Sequence, residues 1–324
     1  MPERPEEVTR SPRLGLGLAA LGRPGYINLG HASDLERDYD PQVMQSRAFE
    51  VLDAAHAGGI RHFDAARSYG LAETFLALWL TARGVGRSDV VVSSKWGYTY
   101  TAQWQVQAAQ HEVKDHSLAA FERQWPESKA LLGAWLRLYL VHSVTPESPL
   151  LTDAATLERL VRLRDLGIMP GLSVSGPHQA EVIERALMLT VDGQPVFGAV
   201  QATYNLLEQS AGPMLRAAHA AGWSVYVKEA LANGRLTARA ASLPAELTDL
   251  SQQRALTPDA LALAFVLVQP FADVVLSGAT TPAHLHSNLS AEQVQLGGTE
   301  TALLAQAAES PQTYWQTRSN LRWN

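Results

Sequence analysis

The stretch Ile60–Gly97, IRHFDAARSYGLAETFLALWLTARGVGRSDVVVSSKWG, decides the fold. Ile60–Ala66 reads as a strand, Leu71–Arg83 as a helix and Asp89–Lys95 as a second strand. The valines Val90, Val91 and Val92 suit a strand buried on both faces, as in a parallel sheet. The alternation repeats in both directions. Upstream, Leu14–Ala20 (LGLGLAA) reads as a strand. Pro41–Gly59 reads as a helix, with Val43, Ala48, Val51, Leu52 and Ala55 at helical spacing and Gly58-Gly59 as its stop. Downstream come a polar stretch, Trp96–Gln110, a helical region, His111–Leu132, and a strand, Trp135–His142. Thr152 and Gly167 cap the next helix. Strands at Gly171–Ser175, Ala199–Asn205, Trp223–Lys228 and Asp273–Gly278 complete the series. Between and after them lie helices opened by Pro177, near Pro213–Ala221, in the region ending at Gln269, and opened by Pro282. Eight strands separated by helices predict an α/β fold, the (β/α)8 TIM barrel. A doubly wound sheet is the structural alternative. No composition shift divides the chain, so residues 1–324 read as a single barrel domain, with a flexible lead-in over 1–13 and a tail over 300–324.

The 324 residues are 46% hydrophobic, enough for a full core, and carry a formal charge of −6. There is no cysteine, which excludes disulfides, thiolate nucleophiles and Cys-ligated metal or iron–sulfur centres. The acidic balance argues against a general nucleic-acid binder. The N-terminal MPERPEEVTRSPR lacks the apolar core of a secretory signal. The longest apolar run, Ala260–Val268, is nine residues, against the roughly 20 that a membrane span needs. These features predict a soluble, cytoplasmic protein with neither membrane nor nucleic acid as partner.

Two motifs tempt and fail. Gly15-Leu-Gly17-Leu-Ala-Ala-Leu-Gly22 resembles a dinucleotide fingerprint, but its third glycine comes five positions after the second instead of three. Gly22-Arg23-Pro24-Gly25 then breaks the chain where a helix has to start. His111 and His116, on a predicted helix, are five apart and cannot grip one metal ion as i and i+4 would. No metal site is predicted.

In a barrel of this kind, functional residues sit at the C-terminal ends of the strands. Those ends hold Asp64, Lys95 and His142, with Tyr69 in the loop five residues after Asp64. Any one of the four taken singly reads equally well as a strand-end polar group bonding to backbone. Taken together they bring four ionisable groups to one mouth of the barrel.

The pattern GIRHFDAARSYGLAE resembles the signature of the aldo-keto reductases, and VVVSSKWG and LYLVHS resemble the strands that follow it. Asp64, Tyr69, Lys95 and His142 match the family's catalytic tetrad in order and context. The resemblance runs from LGLGLAALG to LSGATTPAHLHSNLSA. It implies a barrel binding NADP(H), possibly NAD(H), in extended form, and a small-molecule carbonyl substrate such as an aldehyde, ketone or sugar-type carbonyl. Tyr69 then protonates the carbonyl oxygen, and Lys95 lowers the phenol's pKa from its ordinary ~10. Asp64 pairs with Lys95, and His142 donates to the carbonyl. For the cofactor, Ser175 and Gln201 match residues holding the carboxamide, although Gly176 stands where an asparagine is common. Lys228 replaces a stacking tyrosine. Leu231, Asn233 and Arg235 are candidates for the pyrophosphate loop. Gly278, Thr280 and Thr281 lie at the phosphate-binding helix start, and Asn288 matches an adenine-contacting asparagine. His284 stands where NADP-specific members carry arginine, which predicts modest discrimination between the two cofactors. Tyr26, Trp96, Trp104, Tyr98, Tyr314 and Trp323 are expected around the substrate. Two other readings stay open: a Schiff-base aldolase using Lys95 or Lys228, and a nucleotide-binding protein without turnover.

Overall fold

A computed structural model describes residues 13–324. The expected lead-in therefore lies, but for Arg13, outside the described residues. Eight parallel strands close into a barrel: β1 Leu14–Gly17, β2 His62–Asp64, β3 Val91–Trp96, β4 Leu136–Val144, β5 Met169–Val174, β6 Ala199–Thr203, β7 Ser224–Lys228 and β8 Val274–Ser277. Closure is direct, because β1 pairs with both β2 and β8. That excludes the doubly wound sheet, whose edges stay open.

The barrel axis is filled by side chains. Leu138, Leu140, Ala199, Tyr226, Val274 and Leu276 form one buried cluster inside it. Gly15 of LGLG answers to this crowding: a Cβ there would stand 2.8 Å from Val274 Cγ1. Gly22 serves a second close approach, since its Cβ would come within 2.3 Å of the Tyr69 carbonyl oxygen. The loop after β1 thus lies directly on the loop carrying Tyr69, and the Leu71 amide donates to the Gly22 carbonyl at 2.7 Å. Gly15 thus serves barrel packing and Gly22 a loop contact, in agreement with rejecting the fingerprint.

Helices cover the outside, among them Pro41–Ala57, Ala72–Ala82, Leu118–Leu132 and Pro282–Ser290. In the helix Pro258–Leu267, residues Ala260–Leu267 are apolar and buried throughout, because Ala245–Arg254, Pro282–Ser290 and Ala291–Gln293 pack against its outer side. No helix among the described residues is long and apolar enough to cross a membrane.

Four local expectations need correction. β1 ends at Gly17, and Leu18–Ala20 turn away, with the Leu18 amide donating to the Asp64 carbonyl. His111–Ser117 is not helical: Glu112–Lys114 pairs antiparallel with Tyr98–Tyr100, and the helix starts at Leu118 under the Ser117 side chain. The ladder partner that makes Glu112–Lys114 a strand is remote in sequence, so local propensity does not reveal it. Thr152 lies in a 3-10 turn and Asp153 is the N-cap, whereas Gly167 holds its capping place at φ 72°. Finally, the helix expected to open at Pro177 starts at Gln179, with His178 as its N-cap.

Candidate active site

The strand ends surround one cavity of about 660 Å³ at the mouth of the barrel. This is within the range of ligand pockets. Asp64 closes β2 and Lys95 lies near the end of β3, so the two side chains start from neighbouring strands. The Lys95 ammonium donates to Asp64 Oδ2 at 2.5 Å and to the Ala65 carbonyl at 2.9 Å. Ser93 Oγ and Gln201 Nε2 donate to the other carboxylate oxygen at 2.6 and 3.1 Å. The pair is almost wholly buried, and such a pair persists only when its remaining polar atoms are satisfied.

The Tyr69 ring lies over this pair, its centroid 4.7 Å from Lys95 Nζ. Its hydroxyl is 3.3 Å from His142 Nε2, and His142 Nδ1 is 3.3 Å from Ser68 Oγ. Asp64, Tyr69 and His142 all line the cavity, and Lys95 stands behind them. The four residues read from the sequence are therefore brought together.

Their electrostatics differ from expectation in one respect. Burial, reinforced by the Asp64 charge, raises the Tyr69 phenol well above 10, and Arg23 only partly opposes this. The expected lowering by Lys95 fails because that cation is matched by Asp64 at close range. Burial, with Lys95 and Arg23 nearby, pushes His142 well below 6.5, so its imidazole is neutral. Tyr69 is a protonated donor and His142 a neutral hydrogen-bonding group throughout the physiological range.

Ser175, Gly176, Gln201, Lys228, Leu231, Asn233, Gly278, Thr280, His284 and Asn288 line the same cavity. Gln201 spends its amide N–H on Asp64 and Asn288 donates to Ser277 Oγ at 2.8 Å. A side chain on Gly176 would meet nothing within 4 Å, so the position expected to lack an amide opens onto free space. Lys228 donates to Thr203 Oγ1 at 2.9 Å, and burial lowers its pKa to about 8.

Several expected residues are elsewhere. Arg235 pairs with Glu309 and does not line the cavity. Thr281 caps the helix Pro282–Ser290, accepting from the His284 amide, and stays behind the lining. Trp96 is fully buried against Phe121, because its place on β3 turns it outward into the helix layer. Trp104 donates its indole N–H to the Tyr39 carbonyl at 2.6 Å, pinning the 98–112 excursion to the segment before Pro41–Ala57. Tyr314 is buried and bonded to Asn205. Tyr26, Tyr98 and Trp323 do line the cavity. His111 and His116 belong to the hairpin region. His111 stacks on Trp323 at 3.7 Å, while His116 bonds the His142 carbonyl at 2.7 Å.

The structure adds residues that carried no sequence signal. The Arg23 guanidinium sits 4.9–5.2 Å from the centroids of Tyr26, Tyr69 and Trp323, and donates to Glu112 at 2.5 Å and the Ser68 carbonyl at 3.2 Å. Glu229, at φ 55°, takes a two-pronged pair from Arg318 of the tail helix Pro311–Ser319. Burial alone would raise Glu229, but Arg318 and Lys228 hold it down at about 2. Each pair joins residues 89 apart in sequence, so no spacing could announce it.

A nicotinamide dinucleotide fits this cavity on the structure's own terms. The cavity runs without interruption from Tyr69 and His142 to Thr280, His284 and Asn288. On its wall, the buried Asn233 Oδ1 has no partner, an acceptor left for a ligand.

Comparisons with known proteins agree with this geometry. The Aldo/keto reductase family model matches residues 13–309. Aldo-keto reductase str7 of Strobilurus tenacellus is 24% identical, with 91% of this chain and 87% of that protein covered. The uncharacterized oxidoreductase YrpG of Bacillus subtilis is 26% identical, with 90% and 92% covered. An aldo-keto reductase of Bacillus halodurans, solved in a holo form, superposes with a TM-score of 0.67 at 21% identity over 92% of each chain. With its barrel closed and its family model matched over nearly the whole length, the chain belongs to the aldo-keto reductase family.

Proposed function

We propose that the protein interconverts a small carbonyl compound and its alcohol using a nicotinamide dinucleotide. The observation that carries this is the Tyr69 hydroxyl facing His142 Nε2 at 3.3 Å on the cavity wall, over the buried Lys95–Asp64 pair. When bound, the dinucleotide supplies or accepts the hydride. The chain supplies the proton and the orientation. A carbonyl oxygen between Tyr69 and His142 receives hydrogen bonds from both. As negative charge grows on that oxygen, Tyr69 delivers its proton, because an alkoxide is a stronger base than a phenolate. The Lys95 ammonium, 4.7 Å from the ring centroid, offsets the charge of the phenolate left behind only in part, because Asp64 already matches it. His142, held by Ser68 and kept neutral, orients the oxygen without competing as the acid. Oxidation runs the same path in reverse. Ser175, Gln201 and Lys228 would hold the ring end of the dinucleotide, Leu231, Asn233 and Gly278 its middle, and Thr280, His284 and Asn288 its far end.

The test is titration with NADH and NADPH followed by a panel of carbonyl compounds, on the parent and on Tyr69→Phe. The variant is expected to lose at least ~10²-fold in turnover with nearly unchanged dinucleotide binding. Equal turnover removes Tyr69 from the mechanism.

A second reading is favoured by one observation. Lys228 lines the cavity with its pKa lowered to about 8, as an imine-forming amine requires. Lys95 is walled off behind Tyr69 and spent on Asp64, so only Lys228 supports an aldolase. Borohydride trapping with a carbonyl substrate labels Lys228 in an aldolase and nothing in a reductase.

A further inference from the structure

The cavity end remote from Tyr69 is built around a carboxylate. Asp34 ends the short turn His31–Asp34, and its side chain is 9% exposed. Both its oxygens are taken by the terminal nitrogens of Arg239, one of them at 2.7 Å, and the Thr280 hydroxyl donates to it at 2.9 Å. Arg239 Nη1 also donates to the Leu29 carbonyl at 3.0 Å. His284 Nε2 lies 3.1 Å from Arg239 Nη2 and 3.9 Å from Asp34. Asp259, bonded by Ser287 Oγ at 2.6 Å, lines the same end.

The charge balance follows directly. Two carboxylates face one guanidinium, and that guanidinium is already neutralised by Asp34. Burial holds His284 below its ordinary 6.5 despite the nearby Asp34, so it adds no cation at neutral pH. A phosphate monoester placed here brings nearly two negative charges. It would have to displace Asp34 from Arg239 and then remain beside that carboxylate and Asp259. A free hydroxyl has the opposite requirement: it donates a proton, and an ionised carboxylate only accepts.

A dinucleotide whose redox ring lies against Tyr69 and His142 brings its adenosine to the opposite end of the same cavity. Resting on the dinucleotide reading above, we infer that Asp34 accepts a hydrogen bond from a free ribose hydroxyl of that adenosine, so that the chain holds NADH in preference to NADPH. Arg239 acts here through Asp34: it anchors the carboxylate and the 28–34 loop, and it is not a phosphate ligand.

Equilibrium binding of NADH and NADPH, followed by quenching of protein fluorescence at pH 7.5, tests this without turnover. The parent is expected to bind NADH at least about tenfold tighter. Asp34→Asn keeps the shape, releases the Arg239 charge, and is expected to move the affinity ratio toward NADPH by about tenfold or more. His284→Arg, which leaves the Asp34–Arg239 pair in place, is expected to move it the same way. A parent that binds NADPH more tightly than NADH overturns the inference and leaves the dinucleotide reading standing. So does an unchanged ratio in Asp34→Asn. A parent that binds neither dinucleotide removes that reading and the inference with it.

Discussion

At the tetrad end of the cavity, Asp64 and Lys95 start from adjacent barrel strands, and their side chains are 4% and 1% exposed. At the far end, Asp34 and Arg239 start from loops 205 residues apart, and the guanidinium is 37% exposed. Both are carboxylate–cation pairs at short range. The first is placed by strand register, and the carboxylate oxygen that Lys95 does not take has two further donors, Ser93 and Gln201. The second is placed by two loops meeting, and water reaches its cation. A buried pair that loses one member leaves an uncompensated charge in a low-dielectric site, whereas an exposed pair that loses one member is re-solvated. The tetrad pair is thus held by the barrel strands, and the Asp34–Arg239 pair by loops that water reaches.

The sharpest way to break that contrast is Lys95→Met. It strands the Asp64 carboxylate among buried groups, and a stability loss of about 3–5 kcal/mol is expected in denaturant titration, together with steeply reduced turnover. Arg239→Met at the other end is expected to cost less, about 1–2 kcal/mol, because Asp34 is largely buried but keeps its Thr280 donor, and water reaches the place of the guanidinium. Equal losses in the two variants would mean that strand placement confers nothing.

A second prediction sharpens the comparison through pH. His116, whose ring bonds the His142 carbonyl, and His31 are buried, and burial lowers both to about 4. Their folded values lie below the unfolded 6.5, so the unfolded chain takes up protons first as pH falls. Stability is full above about pH 6.5 and is lost progressively toward pH 4, by roughly 3 kcal/mol per histidine. Thermal melts of the parent and of His116→Gln over pH 7.5 to 4 check this. The variant is expected to show the shallower fall, and parallel curves would remove His116 as a source.

The smallest expected effect concerns the excursion between β3 and β4. Trp104→Phe loses the bond to the Tyr39 carbonyl, worth about 1 kcal/mol. Because Trp104 lies outside the cavity lining, KM for any accepted carbonyl is expected to stay within about twofold. A large change in KM would return Trp104 to the substrate wall.

The barrel and its strand ends are legible in the sequence because they depend on local information, and Asp64, Tyr69, Lys95 and His142 stand out there only as a set, in the order and context that resemble the aldo-keto reductase signature. Apolar runs mark the strands, caps and helical periodicity mark the helices, and the parallel barrel then carries every strand end to the same mouth. The hairpin Tyr98–Tyr100 with Glu112–Lys114 was not legible, since a strand is defined by a partner that the local sequence does not contain. Trp96 and Trp104 read as substrate-wall aromatics in the stretch after Lys95, and only packing decides that one faces the helix layer and the other anchors a loop. The direction of the Tyr69 shift was likewise a tertiary matter: a phenol's acidity depends on burial and on whether a neighbouring cation is already matched, and Lys95 is matched by Asp64. The pairs Arg23–Glu112, Glu229–Arg318 and Asp34–Arg239 join segments far apart along the chain. Electrostatic energy depends on distance in space, and only the closed barrel with its returning tail brings those charges within reach of one another.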